Sequence, residues 1–235
     1  MDNEIEPTSG SYGFLLLLTL LNVMNFVDRQ LLGSFANFIV PDLALTNTEF
    51  GLLTGLVFLT FYSFAGLFMG TLADRLNRTK FISFGLALWS VLTAVSGAAR
   101  GFVSLALPRM FIGVGESILT PASMSLLADR FPARQLGFAS GFYYMGVPIG
   151  VGVSLLIVGY LGPLIGWRNC FYTLGAIGLC LAGMLFFLEE TPRRHLQEAG
   201  AGSSDRQQSF MVMIAALLQA LKASLELNIN NQTIL

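Results

Sequence analysis

The sequence predicts an all-α, polytopic membrane protein. Of its 235 residues, 54% are hydrophobic and only 11% are charged, whereas ordinary soluble domains contain about 25% charged residues. Apolar stretches that are each long enough to cross a hydrocarbon layer of roughly 30 Å as a helix lie at residues 13–40, 50–72, 81–99, 102–127, 137–161 and 169–188. Because long unalternating stretches must satisfy their backbone hydrogen bonds internally in lipid, we expect helices and not barrel strands.

The first apolar stretch carries polar residues near its middle, in the sequence NVMNFVDR at 22–29. Asn22, Asn25, Asp28 and Arg29 would therefore lie at membrane depth. An acid or a base at the centre of a spanning helix costs about 2.5 to 3.5 kcal/mol on insertion scales, so such side chains need water or partners. We expect them to border a polar pathway through the membrane.

The second and third stretches, at 50–72 and 81–99, contain no ionisable residue in their interiors. The loop between them begins with LADR at 72–75, and the same four residues recur at 127–130 after the fourth stretch. Recurrence at the same membrane boundary, the end of an even-numbered helix, indicates duplicated structural halves, as expected of secondary transporters. We expect the six helices to form two three-helix repeats.

The fourth stretch is the other one with charge in its interior. Arg109 and Glu116 are seven residues apart in it, which places both on one face of a helix. Gly113 and Gly115 lie between them and allow a neighbouring helix to approach closely. We expect this face to point towards the charged part of the first stretch.

Two facing arrangements are open at this level: Asp28 with Arg109, or Arg29 with Glu116. Either would bring acids and bases together inside the membrane, next to a path for a substrate. The alternative is a buried ion-pair network that only fixes how the helices pack.

The fifth stretch contains G-x-x-x-x-G-x-P-x-G-x-G from residue 141 to 152, which predicts a closely packed and kinked helix. The sixth contains Cys170 and Cys180, which in a helix lie about 15 Å apart along the axis, too far for a disulfide. The single histidine, His195, follows in a charged segment. No Cys/His metal site is therefore expected.

Lys and Arg are concentrated in alternate loops. One set of loops carries Arg75, Arg78, Lys80, Arg130, Arg134, Arg193 and Arg194, and the other carries Arg100 and Arg168. Because short loops rich in these residues stay cytoplasmic, we expect both termini in the cytoplasm. We expect the membrane to be a bacterial inner (plasma) membrane.

The sequence lacks the residues that several classes of function require. There is no G-x-x-x-x-G-K-[ST] loop for a nucleotide and no basic tract for nucleic acid. Ser117, Ser123 and Ser125 have no base partner that the sequence identifies. We therefore expect that the chain is not an enzyme and uses no metal, cofactor or nucleic acid.

The segment GTLADRLNRTK at 70–80 closely resembles the signature loop between helices two and three of the major facilitator superfamily, although Asn77 replaces the usual glycine. Such a loop is interpreted as a conformational latch that breaks and reforms as helix bundles rock. Positive-inside anchoring alone would explain the bases but not the small residue or the acid. The latch residues in this sequence are Gly70, Asp74, Arg75, Arg78, Asp129 and Arg130.

The first helix, the fourth helix and the Ala128-Asp129-Arg130 loop together resemble the spinster-like branch, and sugar-acid and organic-anion carriers of the superfamily share part of the pattern. The resemblance implies the six-helix N-terminal bundle of the major facilitator fold. It also implies site residues: Asp28 and Glu116 as proton-coupling candidates, and Asn22, Asn25, Arg29 and Arg109 as substrate-binding candidates.

The implied function is secondary active transport, coupled to protons or another ion, of a small organic anion or lysolipid-like substrate by alternating access. The family has twelve spans and this sequence offers six. The chain would then be a fragment or truncated product, or would pair with another copy or a separate second six-helix half. A competing reading is a membrane subunit that does not transport. Membrane lipid is expected to surround it in every case.

The corresponding domain organisation has four parts. Residues 1–12 are expected to be a cytoplasmic N-terminus and residues 13–192 the six-helix bundle. Residues 193–209 are rich in Gly and polar side chains, which indicates a cytoplasmic linker. Residues 210–235 are interpreted as a truncated tail, the start of an absent second half.

Overall fold

The computed structural model describes residues 9–193, and within this part of the chain the regular structure is helical. The helices are Ser9–Ser34, Ala36–Asp42, Asn47–Thr54, Leu56–Ala73, Arg78–Gly97, Phe102–Glu116, Leu119–Arg130, Ala133–Tyr144, Gly146–Leu156 and Gly162–Phe186, with a π-helical turn at Ile157–Leu161. The predicted all-α fold class is confirmed.

The described helices join into membrane crossings that we name spans 1 to 6, which cover residues 9–42, 47–73, 78–97, 102–130, 133–165 and 167–186. By length and composition, the last two form one continuous stretch, Ala133–Phe186, of 54 residues. A straight helix of that length would be roughly 80 Å long, far more than a bilayer. Gly166, with φ 78° and ψ 157°, reverses the chain and separates span 5 from span 6.

Only the fifth stretch is predicted to be kinked, but several spans contain a break. Span 1 breaks at Phe35, span 2 at Gly55 and span 5 at Met145. Span 4 breaks at residues 117–118, directly after Glu116. Breaks of this kind are tolerated in membrane helices where neighbouring helices and hydroxyl side chains satisfy the freed backbone groups.

Spans 1 and 5 run in the same direction and pack closely. The Asn22 amide donates to the Tyr143 carbonyl oxygen at 2.9 Å, and further along both spans the hydroxyl oxygens of Ser34 and Ser154 are 3.4 Å apart. A Cβ atom on Gly150 would lie 2.6 Å from a carbonyl oxygen of span 1. This crossing therefore requires a glycine, as the predicted close packing of the fifth stretch implies.

Spans 3 and 6 run in opposite directions. Near one end the Ser83 hydroxyl donates to the Ala182 carbonyl oxygen at 2.8 Å. Near the other end, Nη1 of Arg168 donates to the Gly97 carbonyl oxygen at 3.0 Å. The reversal of the chain at Gly166 makes this pairing possible.

The predicted boundaries are met in part. Span 1 begins at Ser9, inside the segment expected to be an N-terminus, because the residues that precede Gly13 continue its helix. The remainder of that segment, residues 1–8, lies outside the described residues. So do the linker predicted at 193–209, apart from Arg193, and the tail predicted at 210–235.

Candidate functional site

The charged residues of spans 1 and 4 meet inside the bundle. Arg29 donates from Nε at 3.1 Å and from Nη2 at 2.9 Å to Oε2 of Glu116. The Glu116 side chain is fully buried, whereas 20% of the Arg29 side chain is exposed. Oε1 of Glu116 has no hydrogen-bond partner among the described residues. Of the two arrangements left open by the sequence, the ion pair that forms is Arg29 with Glu116.

Aromatic rings surround the Arg29 guanidinium. Its central carbon lies 4.9 Å from the ring centroids of Phe26 and Phe58 and 4.5 Å from that of Tyr62. The Phe58 ring also lies 5.2 Å from the guanidinium carbon of Arg109. The face of an aromatic ring attracts cations, most strongly when both are shielded from water. Rings from spans 1 and 2 thus hold two arginines of this site.

Glycines of span 4 bring the neighbouring spans close enough for these contacts. A Cβ atom on Gly113 would lie 2.9 Å from the Phe58 carbonyl oxygen of span 2, and a Cβ on Gly115 would lie 3.1 Å from the Gly85 carbonyl oxygen of span 3. At Gly113 this leaves no room for a side chain, and at Gly115 the neighbouring backbone would have to move by a few tenths of an ångström. The prediction that these glycines admit close neighbours is confirmed.

Arg109 lies within the same cluster and is 1% exposed. Its Nη2 donates to the Arg29 carbonyl oxygen at 3.4 Å. Its Nε and Nη1 atoms have no hydrogen-bond partner among the described residues. A buried charged donor without a partner is costly, so Arg109 is not held here by a complete set of structural hydrogen bonds.

Asp28 is 1% exposed and points towards span 3. There the Thr93 hydroxyl donates to its Oδ2 at 2.5 Å. The other carboxylate oxygen, Oδ1, has no partner among the described residues. Asp28 and Arg29 are adjacent in sequence, yet they have different partners because consecutive helical side chains point in different directions.

The two amides of span 1 occupy different environments. Asn22 is 1% exposed, and its amide is committed to the contact with span 5. Asn25 is also buried; its Oδ1 accepts a long hydrogen bond of 3.5 Å from Arg29, and its Nδ2 has no partner among the described residues. The structure therefore brings Asn25 into the charged cluster and places Asn22 in a helix–helix contact.

The second group of predicted residues lies where span 3 begins and span 4 ends, next to the LADR sequences at 72–75 and 127–130. Arg78, 1% exposed, forms an ion pair with Asp129 and donates from Nε at 3.1 Å to Glu190. It also donates at 2.9 Å to the Ser125 hydroxyl and at 2.9 Å to the Thr191 carbonyl oxygen. A base from the first repeat thus pairs with the acid of the second.

The other predicted latch residues are more accessible. Asp74 and Arg75 are exposed, and a Cβ on Gly70 would meet no atom of the described residues within 4 Å. A latch of this kind is expected to pack its carboxylate against the ends of neighbouring helices. Asp74 does not do so, because it is the exposed C-cap residue of span 2. Arg130 donates to the Thr191 hydroxyl at 2.6 Å and lies over the Phe14 ring.

Sequence reasoning misses several contributors to both groups. Thr93, Phe58 and Tyr62 lie on spans without interior charge, and only the polar residues at every third position of span 3, from Ser90 to Ser96, signal a polar face. Glu190 and Thr191 lie beyond the end of the last apolar stretch at residue 188, and no motif marks them. Within residues 9–193, no group of three or more His, Cys, Asp or Glu side chains could hold a metal ion.

Comparison with known proteins identifies the family. The sequence profile described as Major Facilitator Superfamily matches residues 18–227. The chain belongs to the Major Facilitator Superfamily. The family recognised from the signature loop is confirmed, and as members of this superfamily are transporters, the expectation that the chain is not an enzyme is confirmed with it.

Within the superfamily, the chain is similar to transporters of two kinds. It is 35% identical over 169 residues to "Probable L-galactonate transporter" of Escherichia coli, covering 72% of this chain and 37% of the relative. It is 31% identical over 191 residues to "Hexuronate transporter" of Bacillus subtilis, covering 80% and 44%. It also matches the crystal structure of a bacterial homolog to human lysosomal transporter, Spinster, inward-facing and unoccupied, with TM-score 0.72 and 31% identity over 80% of this chain and 45% of that one.

These matches agree with the predicted fold and with the resemblance to the spinster-like branch. The chain spans less than half the length of these superfamily members, between 37% and 45%. The residues that match the family model, 18–227, include the predicted residues of both groups described above. Transport activity and a substrate are therefore proposed for this chain and not taken over from the full-length transporters.

Proposed function

We propose that the chain forms one six-helix half of a secondary transporter that moves a substrate with an anionic head group across the membrane by alternating access. The substrate is a small organic anion or a lysolipid-like molecule, and the driving force is a proton or other ion gradient. Relatives named for L-galactonate and hexuronate transport favour a carboxylate head group.

The observation that carries this proposal is the cluster of Asp28, Arg29, Arg109 and Glu116. All four lie in the interior of spans 1 and 4, and three of them have polar atoms without a hydrogen-bond partner among the described residues. A network kept only for packing is expected to satisfy its buried polar atoms. Ionisable residues within membrane spans are rare and mark substrate or ion pathways.

Arg29 is the group best placed to bind the anionic head. It is the member of the cluster with exposed side-chain surface, and its planar guanidinium matches the geometry of a carboxylate or phosphate. Glu116 uses only one oxygen for this guanidinium. An incoming anion would therefore compete with Glu116 for Arg29, and protonation of Glu116 would favour the anion.

The same competition supplies a coupling mechanism. Asp28 and Glu116 are the proton-coupling candidates, and Arg109 interacts electrostatically with both as a positive charge. When the substrate anion takes Arg29, Glu116 loses its counter-charge and is stabilised by taking up a proton. Substrate and proton would then move together. Asn25, at the edge of the cluster, would contact the substrate, and Asn22 would hold span 5 in place.

The second half would pack against the faces that this chain leaves open. Few residues of span 2 are buried, and Leu56, Leu59, Phe64 and Leu67 are exposed. Large apolar surfaces of this kind lie against lipid or another helix bundle. The relatives are more than twice as long as the aligned part. A second set of spans, or another copy of the chain, would complete the substrate cavity.

The latch residues fit this arrangement. Gly70, Asp74 and Arg75 lie on the open surface at the end of span 2, where a moving second half would meet them. Arg78, Asp129 and Arg130 form the fixed part that joins spans 3, 4 and 6. We place this end in the cytoplasm of a bacterial inner membrane, with both termini on the same side, because its loops contain most of the Lys and Arg.

Uptake measurements in liposomes test the proposal. The chain is reconstituted alone and together with the C-terminal six-helix half of the B. subtilis relative, with a pH gradient and radiolabelled galacturonate or lysophosphatidic acid outside. Uptake in either preparation that is lost in Asp28→Asn and reduced in Arg29→Lys supports the proposal. If neither preparation transports or binds either compound, the chain is instead a membrane subunit without transport activity.

A further inference from the structure

We infer that Thr93 is the positioning residue for the proton-coupling carboxylate of Asp28, because its hydroxyl can serve that carboxylate both with and without a proton. The inference rests on the proposed function for the meaning of the proton. It adds a residue of span 3, a span without interior charge, to a site otherwise built from spans 1, 2 and 4.

The direction of the Thr93 hydrogen bond is unusual for a helical threonine. Hydroxyls in helices commonly donate to a carbonyl oxygen three or four residues earlier, and Thr19, Thr54 and Ser96 do so in this structure. Thr93 instead donates across the helix interface to Oδ2 of Asp28 at 2.5 Å. Both side chains are at most 1% exposed.

A hydroxyl can meet the needs of both protonation states. An ionised carboxylate only accepts hydrogen bonds, whereas a protonated carboxyl also donates one. With Asp28 ionised, Thr93 donates to it, as observed. With Asp28 protonated, the hydroxyl oxygen can accept from the carboxyl, because a hydroxyl carries acceptor lone pairs as well as a donor. A valine of the same shape could do neither.

The charged groups around Asp28 include both signs, and none of them replaces the hydrogen bond from Thr93. Arg29 lies on its own span, and Arg109 and Glu116 come from span 4; all three act on Asp28 electrostatically. Span 2 contributes the Tyr62 phenol near Arg29. The interiors of spans 3, 5 and 6 contain no Asp, Glu, Lys or Arg. The hydrogen-bond donor that span 3 supplies to Asp28 is therefore the neutral Thr93 hydroxyl. Its own charge does not change when Glu116 gains or loses a proton.

Span 3 also provides a matched control. Ser90 lies one turn before Thr93 and is 0% exposed, and its hydroxyl has no partner among the described residues. A mutation of Ser90 removes a buried hydroxyl from the same helix face without touching Asp28. If Thr93 acted only through the polarity of span 3, Ser90→Ala and Thr93→Val would have similar effects.

Infrared difference spectroscopy of the full chain in lipid nanodiscs tests the inference without a substrate. The carbonyl band of protonated Asp28 is identified by its loss in Asp28→Asn and its persistence in Glu116→Gln. In Thr93→Val we expect this band to move to higher frequency, because the protonated carboxyl loses its hydrogen-bond partner. We expect its titration midpoint to rise by about one pH unit, because the ionised carboxylate loses the donor that stabilises it. Thr93→Ser should restore both, and Ser90→Ala should change neither.

The outcomes separate this inference from the proposed function. An unchanged band and midpoint in Thr93→Val would overturn it, and so would equal shifts in Ser90→Ala. If Thr93→Val does not fold, Thr93→Ala and Thr93→Ser are compared in its place, with the same expectations for loss and retention of the hydroxyl. A shifted band in a chain that shows no uptake in any preparation would uphold the role of Thr93 and reject transport.

Discussion

Arg29 and Glu116 are 87 residues apart in the chain, and both donor nitrogens of the ion pair point to one oxygen of the carboxylate. The pair joins span 1 to span 4 and therefore the first three-helix repeat to the second. Because the second carboxylate oxygen lacks a partner among the described residues, the pair is one that another ligand or a proton can break.

Removal of the Glu116 carboxylate should destabilise the bundle. We expect Glu116→Ala to lower the free energy of unfolding by about 3 kcal/mol, the low end for breaking a buried ion pair, because Arg29 keeps some access to solvent. Denaturant unfolding in mixed micelles, followed by tryptophan fluorescence, measures the change. The exposed Glu189→Ala is the control and should stay within about 0.5 kcal/mol; similar losses in the two variants would contradict the ion pair's role.

Lysine should not replace Arg29. A lysine ammonium keeps the positive charge but lacks the planar fork that fits a carboxylate and stacks on aromatic rings. We therefore expect Arg29→Lys to weaken binding of galacturonate by about tenfold or more, corresponding to loss of at least one charge-assisted hydrogen bond. Isothermal titration of the chain with its second half gives the affinity. The exposed Arg100→Lys should bind as tightly as the original, and an unaltered Arg29→Lys affinity would remove Arg29 from the binding site.

The ion pair at the end of spans 3 and 4 should be strongly coupled. Arg78 has four described partners there, so we expect Arg78→Ala to lower the free energy of unfolding by about 3 to 5 kcal/mol. A double-mutant cycle with Asp129→Ala should give a coupling of more than about 1 kcal/mol, as residues in one network do.

Arg75 supplies the comparison for that cycle. It belongs to the same signature loop and is exposed, so Arg75→Ala should change the free energy of unfolding by no more than about 0.5 kcal/mol. Additive effects of Arg78→Ala and Asp129→Ala would show that the two side chains are not energetically linked.

Gly113 should not tolerate even one added methyl group. The new Cβ would meet backbone atoms of span 2 at 2.9 and 3.1 Å, and backbone cannot rotate away. We expect Gly113→Ala to cost about 1 to 3 kcal/mol of stability, the usual range for overpacking. Gly66→Ala is the matched variant: its Cβ would have open space, and the melting temperature in detergent should be unchanged or slightly higher.

The sequence allows prediction of the fold because lipid leaves the chain little choice. Hydropathy locates the crossings, and the LADR repeat at 72–75 and 127–130 indicates that the bundle is internally duplicated. The Gly and Pro residues at 141–152 predict a kink in the helix that contains the Met145 break, whereas the break at Phe35 is not predicted. Such breaks depend on the neighbouring spans that receive the freed backbone groups.

The candidate site is only partly predictable. Charge in an apolar helix is a strong signal, and it identifies Asp28 and Glu116 directly. The choice between two facing arrangements cannot be made from spacing, because it depends on the rotation of span 1 about its own axis. Thr93 and Phe58 give only a weak signal in the sequence, because hydroxyl groups and aromatic rings are common in membrane helices. Their role becomes visible only when the neighbouring side chain is known.

Arg78 and Arg130 hold Glu190 and Thr191 at the point where the chain leaves span 6. A pull on the backbone beyond that point is consequently carried first by side chains of the third and fourth spans. A domain movement transmitted along the polypeptide would therefore act on the signature loop before it could bend span 6, so the irregular segment 187–191 serves as a mechanical tether.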